Sequence, residues 1–207
     1  MTISARFLLF DPVGYAWPAV RLPQVAFAGR SNVGKSSLLN ALTGSSRLAR
    51  VSNTPGRTRG IALFEVEGRY AFADLPGYGF AKVSRSEREA WKTLIEGYLE
   101  RCRLLRRVYV LVDVRRGPEE EERQLAEFLS ARSVPYRWVG TKADKLSARE
   151  KAAAAARFDG EPWLAGGGGG APHFRADEGG DRPALAGRPG RFFRLIPRCG
   201  RGRLPPI

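Results

Sequence analysis

Short apolar runs and longer amphipathic stretches alternate along the chain from residue 24 to residue 157. Residues 24–28 (QVAFA) form an apolar run of strand character that leads into a glycine-rich turn and then a helical segment over 35–42. Polar, turn-rich sequence fills 44–60. Residues 61–66 and 69–73 predict a hairpin joined near Gly68. Ser84 and Ser86 each have a glutamate three residues on, so either suits the cap of the next helix. In that helix Trp91, Leu94, Ile95, Tyr98 and Leu99 lie 0, 3, 4, 7 and 8 positions apart, which lays one apolar stripe against a sheet. Residues 108–112 are continuously apolar, as expected of a parallel strand covered on both faces.

Pro118 followed by four glutamates predicts another helix start, with Leu125, Phe128 and Leu129 on its buried side. Residues 136–140 predict a further strand, and Ser147 with Glu150 a further capped helix. Alternating strand and helix of this kind predict a three-layer α/β sandwich with a mostly parallel sheet.

The pattern stops at residue 158. The segment 158–207 holds 12 of the 24 glycines and 7 of the 14 prolines, with no lysine and no valine. It reads as a disordered Gly/Arg/Pro-rich tail. The division expected is an N-terminal extension over 1–20, one α/β domain over 21–157, and the tail. The apolar run before Asp11 is only four residues long, too short for a leader or a membrane span. Cys102 and Cys199 make no metal or redox spacing and read as reduced thiols, so a monomeric cytoplasmic protein without membrane contact is expected. The net charge of +14 is the unusual quantity, since a chain this basic attracts polyanions such as RNA. Arg101, Arg103, Arg106 and Arg107 crowd one helix end, and Arg115 and Arg116 follow the next strand. These suit rRNA phosphates, or else simply answer the helix dipole.

The chemistry lies in three motifs. Gly29-Arg30-Ser31-Asn32-Val33-Gly34-Lys35-Ser36 matches G-x-x-x-x-G-K-[ST] between a strand and a helix. Its backbone N–H groups would cradle phosphate oxygens at a helix N-terminus, Lys35 would meet the β- and γ-phosphates, and the Ser36 hydroxyl would ligate Mg²⁺. Asp74-Leu75-Pro76-Gly77 has the D-x-x-G form, with Asp74 holding Mg²⁺ through water and the Gly77 N–H meeting the γ-phosphate. Thr141-Lys142-Ala143-Asp144 has the form [NT]-K-x-D. The Asp144 carboxylate would accept from the N1–H and exocyclic amine of guanine, groups that adenine does not offer. A threonine between 44 and 60 must close over the metal, and Thr54 and Thr58 both qualify chemically.

Five stretches resemble the EngB (YihA) family of the TrmE-Era-EngA-EngB-Septin-like P-loop GTPases. They are GRSNVGKSSLLNALTG at 29–44, SNTPGRTRG at 52–60, DLPGYGFAKV at 74–83, VDVRRGPEEEE at 112–122 and TKADKLS at 141–147. The likeness spans about residues 20–157. It implies a Ras-like G domain that binds GTP or GDP with Mg²⁺ and hydrolyses GTP. It further implies association with the large ribosomal subunit precursor and its rRNA, with links to cell division and septation. It also implies Ser36 and Thr58 as magnesium ligands, and Lys35, Thr58 and Gly77 in catalysis. Nucleotide contacts are then expected at 29–36, at Gly56, Arg57, Thr58, Arg59 and Gly60, at 74–77 and at 141–144.

Tyr78 follows D-x-x-G where Ras-like enzymes carry a water-orienting glutamine, so slow intrinsic hydrolysis is expected, accelerated on a partner. Asn32 stands where related GTPases hold K⁺, or else it simply favours the tight turn. The departure is at the carboxyl end, where the family's last strand, guanine-touching loop and closing helix are missing. The abrupt Gly/Arg/Pro-rich composition there suggests a shifted reading frame.

Overall fold

The computed structural model describes residues 3–14, 16–45, 48–49, 60–79, 84–159 and 194–195. Thr54, Gly56, Arg57, Thr58 and Arg59, together with nearly all of the tail, lie outside the described residues. The strands are β1 (Ala5–Asp11), β2 (Gln24–Gly29), β3 (Ile61–Val66), β4 (Tyr70–Asp74), β5 (Leu105–Asp113), β6 (Tyr136–Thr141) and β7 (Arg194–Leu195). The helices are α1 (Lys35–Thr43), α2 (Arg85–Arg101), α3 (Glu120–Ala131) and α4 (Ala148–Asp159).

One sheet runs in the order β1-β3-β4-β2-β5-β6-β7. β1–β3 and β3–β4 pair antiparallel, while β2 pairs parallel with β4 and β5, and β6 with β5 and β7. The mostly parallel α/β sheet is the one the alternating pattern predicts. Period-2 alternation splits its side chains between two cores. Ala26, Ala28, Val108, Val110 and Val112 face the side packed by Tyr98 and Leu99 of α2 and Leu129 of α3. Val25, Phe27, Phe64, Phe72 and Leu111 face Leu38 and Leu39 of α1.

Three differences from the sequence reading have physical causes. The segment 1–20 contributes an edge strand, because β1 takes its backbone partners from β3 and needs no strong apolar pattern of its own. Beyond β1, the Asp11 carboxylate accepts from the N–H groups of Gly14, Ala16 and Trp17 at 2.7–2.9 Å and of Val13 at 3.2 Å. Burial alone would raise the Asp11 pKa, but the four donors together hold it below the usual carboxylate value. The α3 cap is Glu119 with Glu122, so Pro118 precedes the helix instead of opening it. Beside β6, where the tail's composition predicts no strand, Arg194–Leu195 pairs with Val139 and Gly140 as a two-residue parallel strand, held by backbone bonds that need no side-chain pattern.

Of the two candidate caps for α2, Ser84 is the one used, in a full capping box with Glu87. Tyr98 of α2 is fully buried; its hydroxyl donates to Gln24 Oε1 at 2.8 Å, and its ring packs edge-on against Trp17.

Candidate functional site

The parallel strands β2, β4 and β6 all end at the same edge of the sheet, and each motif begins where its strand stops. Crevices at the carboxyl ends of parallel strands are where such sheets take ligands. β2 is buried throughout and passes into the loop at Gly29, where a Cβ would sit 2.9 Å from the Leu111 carbonyl oxygen. Only glycine lets the loop leave this close to β5. The loop turns through Asn32 at φ +60° and Gly34 at φ +111° before α1 begins at Lys35. Asn32 therefore occupies the left-handed position that a tight turn requires, and its side chain is exposed.

Lys35 Nζ lies 2.6 Å from Asp74 Oδ1, and the two side chains are only 10% and 7% exposed. The phosphate-loop lysine and the D-x-x-G carboxylate, 39 positions apart in sequence, thus meet in one place. Ser36 follows in the first turn of α1. Leu75 and Pro76 are buried, Leu75 completely, so they face the core and offer a ligand only their backbone. The Ser31 N–H donates to the Tyr78 carbonyl at 2.9 Å, and a Cβ on Gly77 would come within 3.1 Å of Ser31. The residues after Asp74 are in this way pinned against the phosphate loop. Burial pushes the Tyr78 hydroxyl well above its usual pKa, with Glu122 and Glu121 adding to the shift.

The segment 141–144 is tied to the same loop. Thr141 Oγ1 donates its one hydrogen to the Val33 carbonyl at 2.6 Å, with the Val112 carbonyl a longer alternative acceptor at 3.1 Å, so its hydroxyl braces the phosphate loop. Lys142 adopts φ +61° and leads into a short 3₁₀ turn over Ala143–Lys145, where the Asp144 side chain is 31% exposed. Gly60, expected beside the nucleotide, packs so close to β1 that a Cβ would sit 2.5 Å from the Asp11 carbonyl oxygen.

The structure adds a residue that the motifs do not name. Asp113, at the end of β5, receives Lys142 Nζ at 3.0 Å and two guanidinium bonds from Arg115 at 2.9 and 2.6 Å. Burial would raise its pKa, but Arg115 and Lys142 outweigh that and hold the carboxyl far below the ordinary range. An acid at the carboxyl end of a buried strand was the available signal. Arg116 likewise lies 3.5 Å from Glu119, and Arg30 pairs with Glu119 and Glu121. Arg30, Asp113, Arg115, Arg116, Glu119 and Lys142 line a cleft of about 210 Å³ beside the phosphate loop.

A sheet of this topology, with a phosphate-loop sequence, an acid at the end of β4 and a T-K-x-D turn after β6 on one edge, defines a P-loop GTPase. A family model described as 50S ribosome-binding GTPase matches residues 24–142. The GTP-binding protein EngB of Pelotomaculum thermopropionicum is 49% identical over 149 residues, covering 72% of this chain and 75% of that protein. EngB of Anaeromyxobacter is 45% identical over 195 residues, covering 90% of this chain and 89% of that protein. That alignment therefore continues past residue 159, beyond the point where the sequence alone suggested a shifted frame. A crystal structure of an EngB GTP-binding protein superimposes with a TM-score of 0.53 at 28% identity, covering 65% of this chain and 79% of that one. The chain belongs to the EngB family, and it is a GTPase that binds GTP and GDP.

Proposed function

We propose that this GTPase acts as a nucleotide-controlled switch in assembly of the large ribosomal subunit. The observation that carries the nucleotide part is the meeting of Lys35 and Asp74 at the strand edge where Asp144 also stands. The family description, 50S ribosome-binding GTPase, supports the ribosomal part. A role beside cell division and septation, and a cytoplasmic location, follow from the same family reading; among the described residues no helix is long and apolar enough to cross a membrane.

In this reading the backbone of residues 29–36 cups the phosphates, with Arg30 and Asn32 acting through their N–H groups and Lys35 through its ammonium, while the Ser31 and Val33 N–H groups hold the loop's shape by donating to the Tyr78 and Arg30 carbonyls. Lys35 leaves Asp74 to reach the β- and γ-oxygens. The donor set suits Mg²⁺: the Ser36 hydroxyl and a nearly buried Asp74 carboxylate are hard oxygens, and this ion keeps phosphate oxygens and waters as its other ligands. Bound Mg²⁺ would supply positive charge where the leaving oxygen develops negative charge. Thr58 of the neighbouring loop is its further proposed ligand. The exposed Asn32 amide stands ready to hold K⁺ beside the same phosphates.

Hydrolysis adds water to the γ-phosphorus and breaks its bond to the bridging oxygen, giving GDP and inorganic phosphate. Lys35 and the Gly77 N–H stabilise the charge on the transferred group. Tyr78 has no amide to orient the water, so turnover of the isolated chain is slow and docking on the subunit precursor accelerates it. At the base, Asp144 accepts two hydrogen bonds from guanine while Lys142, tethered to Asp113, lies along the ring.

Single-turnover hydrolysis in KCl, with and without large ribosomal subunits, tests this. Acceleration by subunits is expected with GTP but not with ATP, and Asp144→Asn is expected to weaken GTP binding by about one to two powers of ten, because Asn keeps one acceptor oxygen but loses the other bond, worth about 1.5–3 kcal/mol. Equal binding of ATP and GTP would remove the base assignment. A rate unchanged by subunits would remove the ribosomal one.

A further inference from the structure

The two groups of arginines that look alike in sequence separate in the fold. Arg115 and Arg116 stand at the nucleotide edge and are neutralised there by Asp113 and Glu119. The others gather at the opposite edge, where the parallel strands begin. Gln24 lies level with Ala71 of β4 and Leu105 of β5; its N–H donates to the Leu104 carbonyl at 2.7 Å, and the Ala71 N–H to the Pro23 carbonyl at 2.9 Å. Arg21 before β2, Arg69 before β4, and Arg103, Arg106 and Arg107 around the start of β5 therefore share one end of the sheet. Strand spacing of about 4.8 Å sets β4, β2 and β5 side by side over about 10 Å. β2 itself holds this end about 17 Å from the phosphate loop, at about 3.3 Å per residue.

Arg106 owes its position to a register shift. Gln24 faces Leu105 and Val25 faces Arg107, so Arg106 is the extra, exposed residue of a bulge. The helix dipole accounts for Arg101, which lies inside α2 and folds back so that its Nε donates to the Gly97 carbonyl. It does not account for Arg103, Arg106 and Arg107, which lie beyond the helix end. Among the described residues none of Arg21, Arg69, Arg103, Arg106 and Arg107 forms an ion pair. The neighbouring carboxylates Glu65, Glu67 and Glu100 are taken by Arg6, the Ser4 N–H and Arg132.

We propose that this arginine-lined end of the sheet, opposite the nucleotide site, is an RNA-docking surface that grips the phosphate backbone of structured RNA. The proposal rests on the ribosomal reading above and deepens it by naming the face. Guanidinium groups present a planar fork of donors matched to phosphate oxygens, and all five cations are arginine. A lipid surface is disfavoured because insertion needs apolar side chains among the cations. Among the described residues the large exposed apolar side chains, Phe7, Phe10 and Val13, belong to β1 and the turn after it, at the sheet's far edge.

The test uses the full chain loaded with GDP, a short fluorescein-labelled RNA duplex, and a series of KCl concentrations. Two variants, Arg103→Glu/Arg106→Glu and Arg21→Glu/Arg69→Glu, are set beside Arg149→Glu/Lys151→Glu, which changes net charge equally on α4. Each test pair is expected to lower RNA affinity about tenfold and to reduce the slope of log affinity against log salt by about 2, with GDP affinity unchanged. The α4 pair is expected to cost less than about threefold. The second test pair lies off β5, so it decides the matter should the first perturb the strand. Equal losses from the test and α4 pairs, or no loss from either test pair, would overturn the proposal. So would retention on phosphatidylglycerol vesicles through these arginines without RNA binding. Wild-type protein that binds the duplex through this face yet ignores large subunits would leave the surface standing and sink the ribosomal assignment.

Discussion

Replacing Lys35 with methionine would leave the Asp74 carboxylate, 7% exposed, without the ammonium now 2.6 Å away. Removing one partner of a buried pair costs about 3–5 kcal/mol, because the remaining charge is desolvated and unanswered. At about 2–4 °C per kcal/mol for a chain of this size, the nucleotide-free protein should melt about 6–20 °C lower. Lys35→Met/Asp74→Asn removes the stranded charge and should recover more than half of that loss. The same lysine is the proposed phosphate ligand. GDP with Mg²⁺ at about a hundredfold over its Kd should stabilise the wild type by about 2.7 kcal/mol and the Lys35→Met protein hardly at all. Differential scanning fluorimetry, with and without GDP and Mg²⁺, reads both effects. If the single variant melts no lower than the double one, the pair is not what balances Asp74. If GDP raises the midpoint of Lys35→Met as much as that of wild type, Lys35 does not hold the phosphates.

Two further outcomes follow from the geometry. The folded-state pKa of Asp113 is depressed by Arg115 and Lys142, so its contribution to stability is present above the unfolded value of about 3.9 and is lost as pH falls below it. The gap in melting temperature between wild type and Asp113→Asn should therefore be full at neutral pH and shrink steadily below about pH 4; a gap that widens on acidification would contradict this. Gly79 and Gly44 both have positive φ, +78° and +65°, but a Cβ at Gly79 would sit 2.7 Å from Arg30 Nε whereas one at Gly44 meets nothing within 4 Å. Gly44→Ala should cost about 1–2 kcal/mol of backbone strain, and Gly79→Ala should cost more while loosening Arg30 from Glu119; equal urea midpoints for the two would show that the contact is slack.

The sequence by itself determined the order of elements and the local chemistry, because those depend on neighbours along the chain. Apolar runs and 3.6-residue patterns located the strands and helices from 24 to 157, and Ser147 with Glu150 marked one helix start, while Ser84 and Ser86 with their glutamates marked another to within two residues. The phosphate loop and D-x-x-G were legible because backbone curvature at Gly34 and helix onset at Lys35 are written within eight positions.

What needed the tertiary structure was every pairing between distant segments. β1 is a strand because β3 supplies its partners, and the four apolar residues before Asp11 do not by themselves announce that. Thr141 reads only as part of the nucleotide-contacting segment 141–144 in sequence, and the fold shows its hydroxyl bracing Val33, 108 residues away. Asp113 acquires a role only where Lys142 and Arg115 converge on it. Arginines alike in sequence divide into a neutralised set at the nucleotide edge and a set at the other that forms no ion pair among the described residues, because strand register decides which charges share an end. Charge and hydrogen-bonding capacity are properties of residues; the partners that answer them are fixed by the sheet.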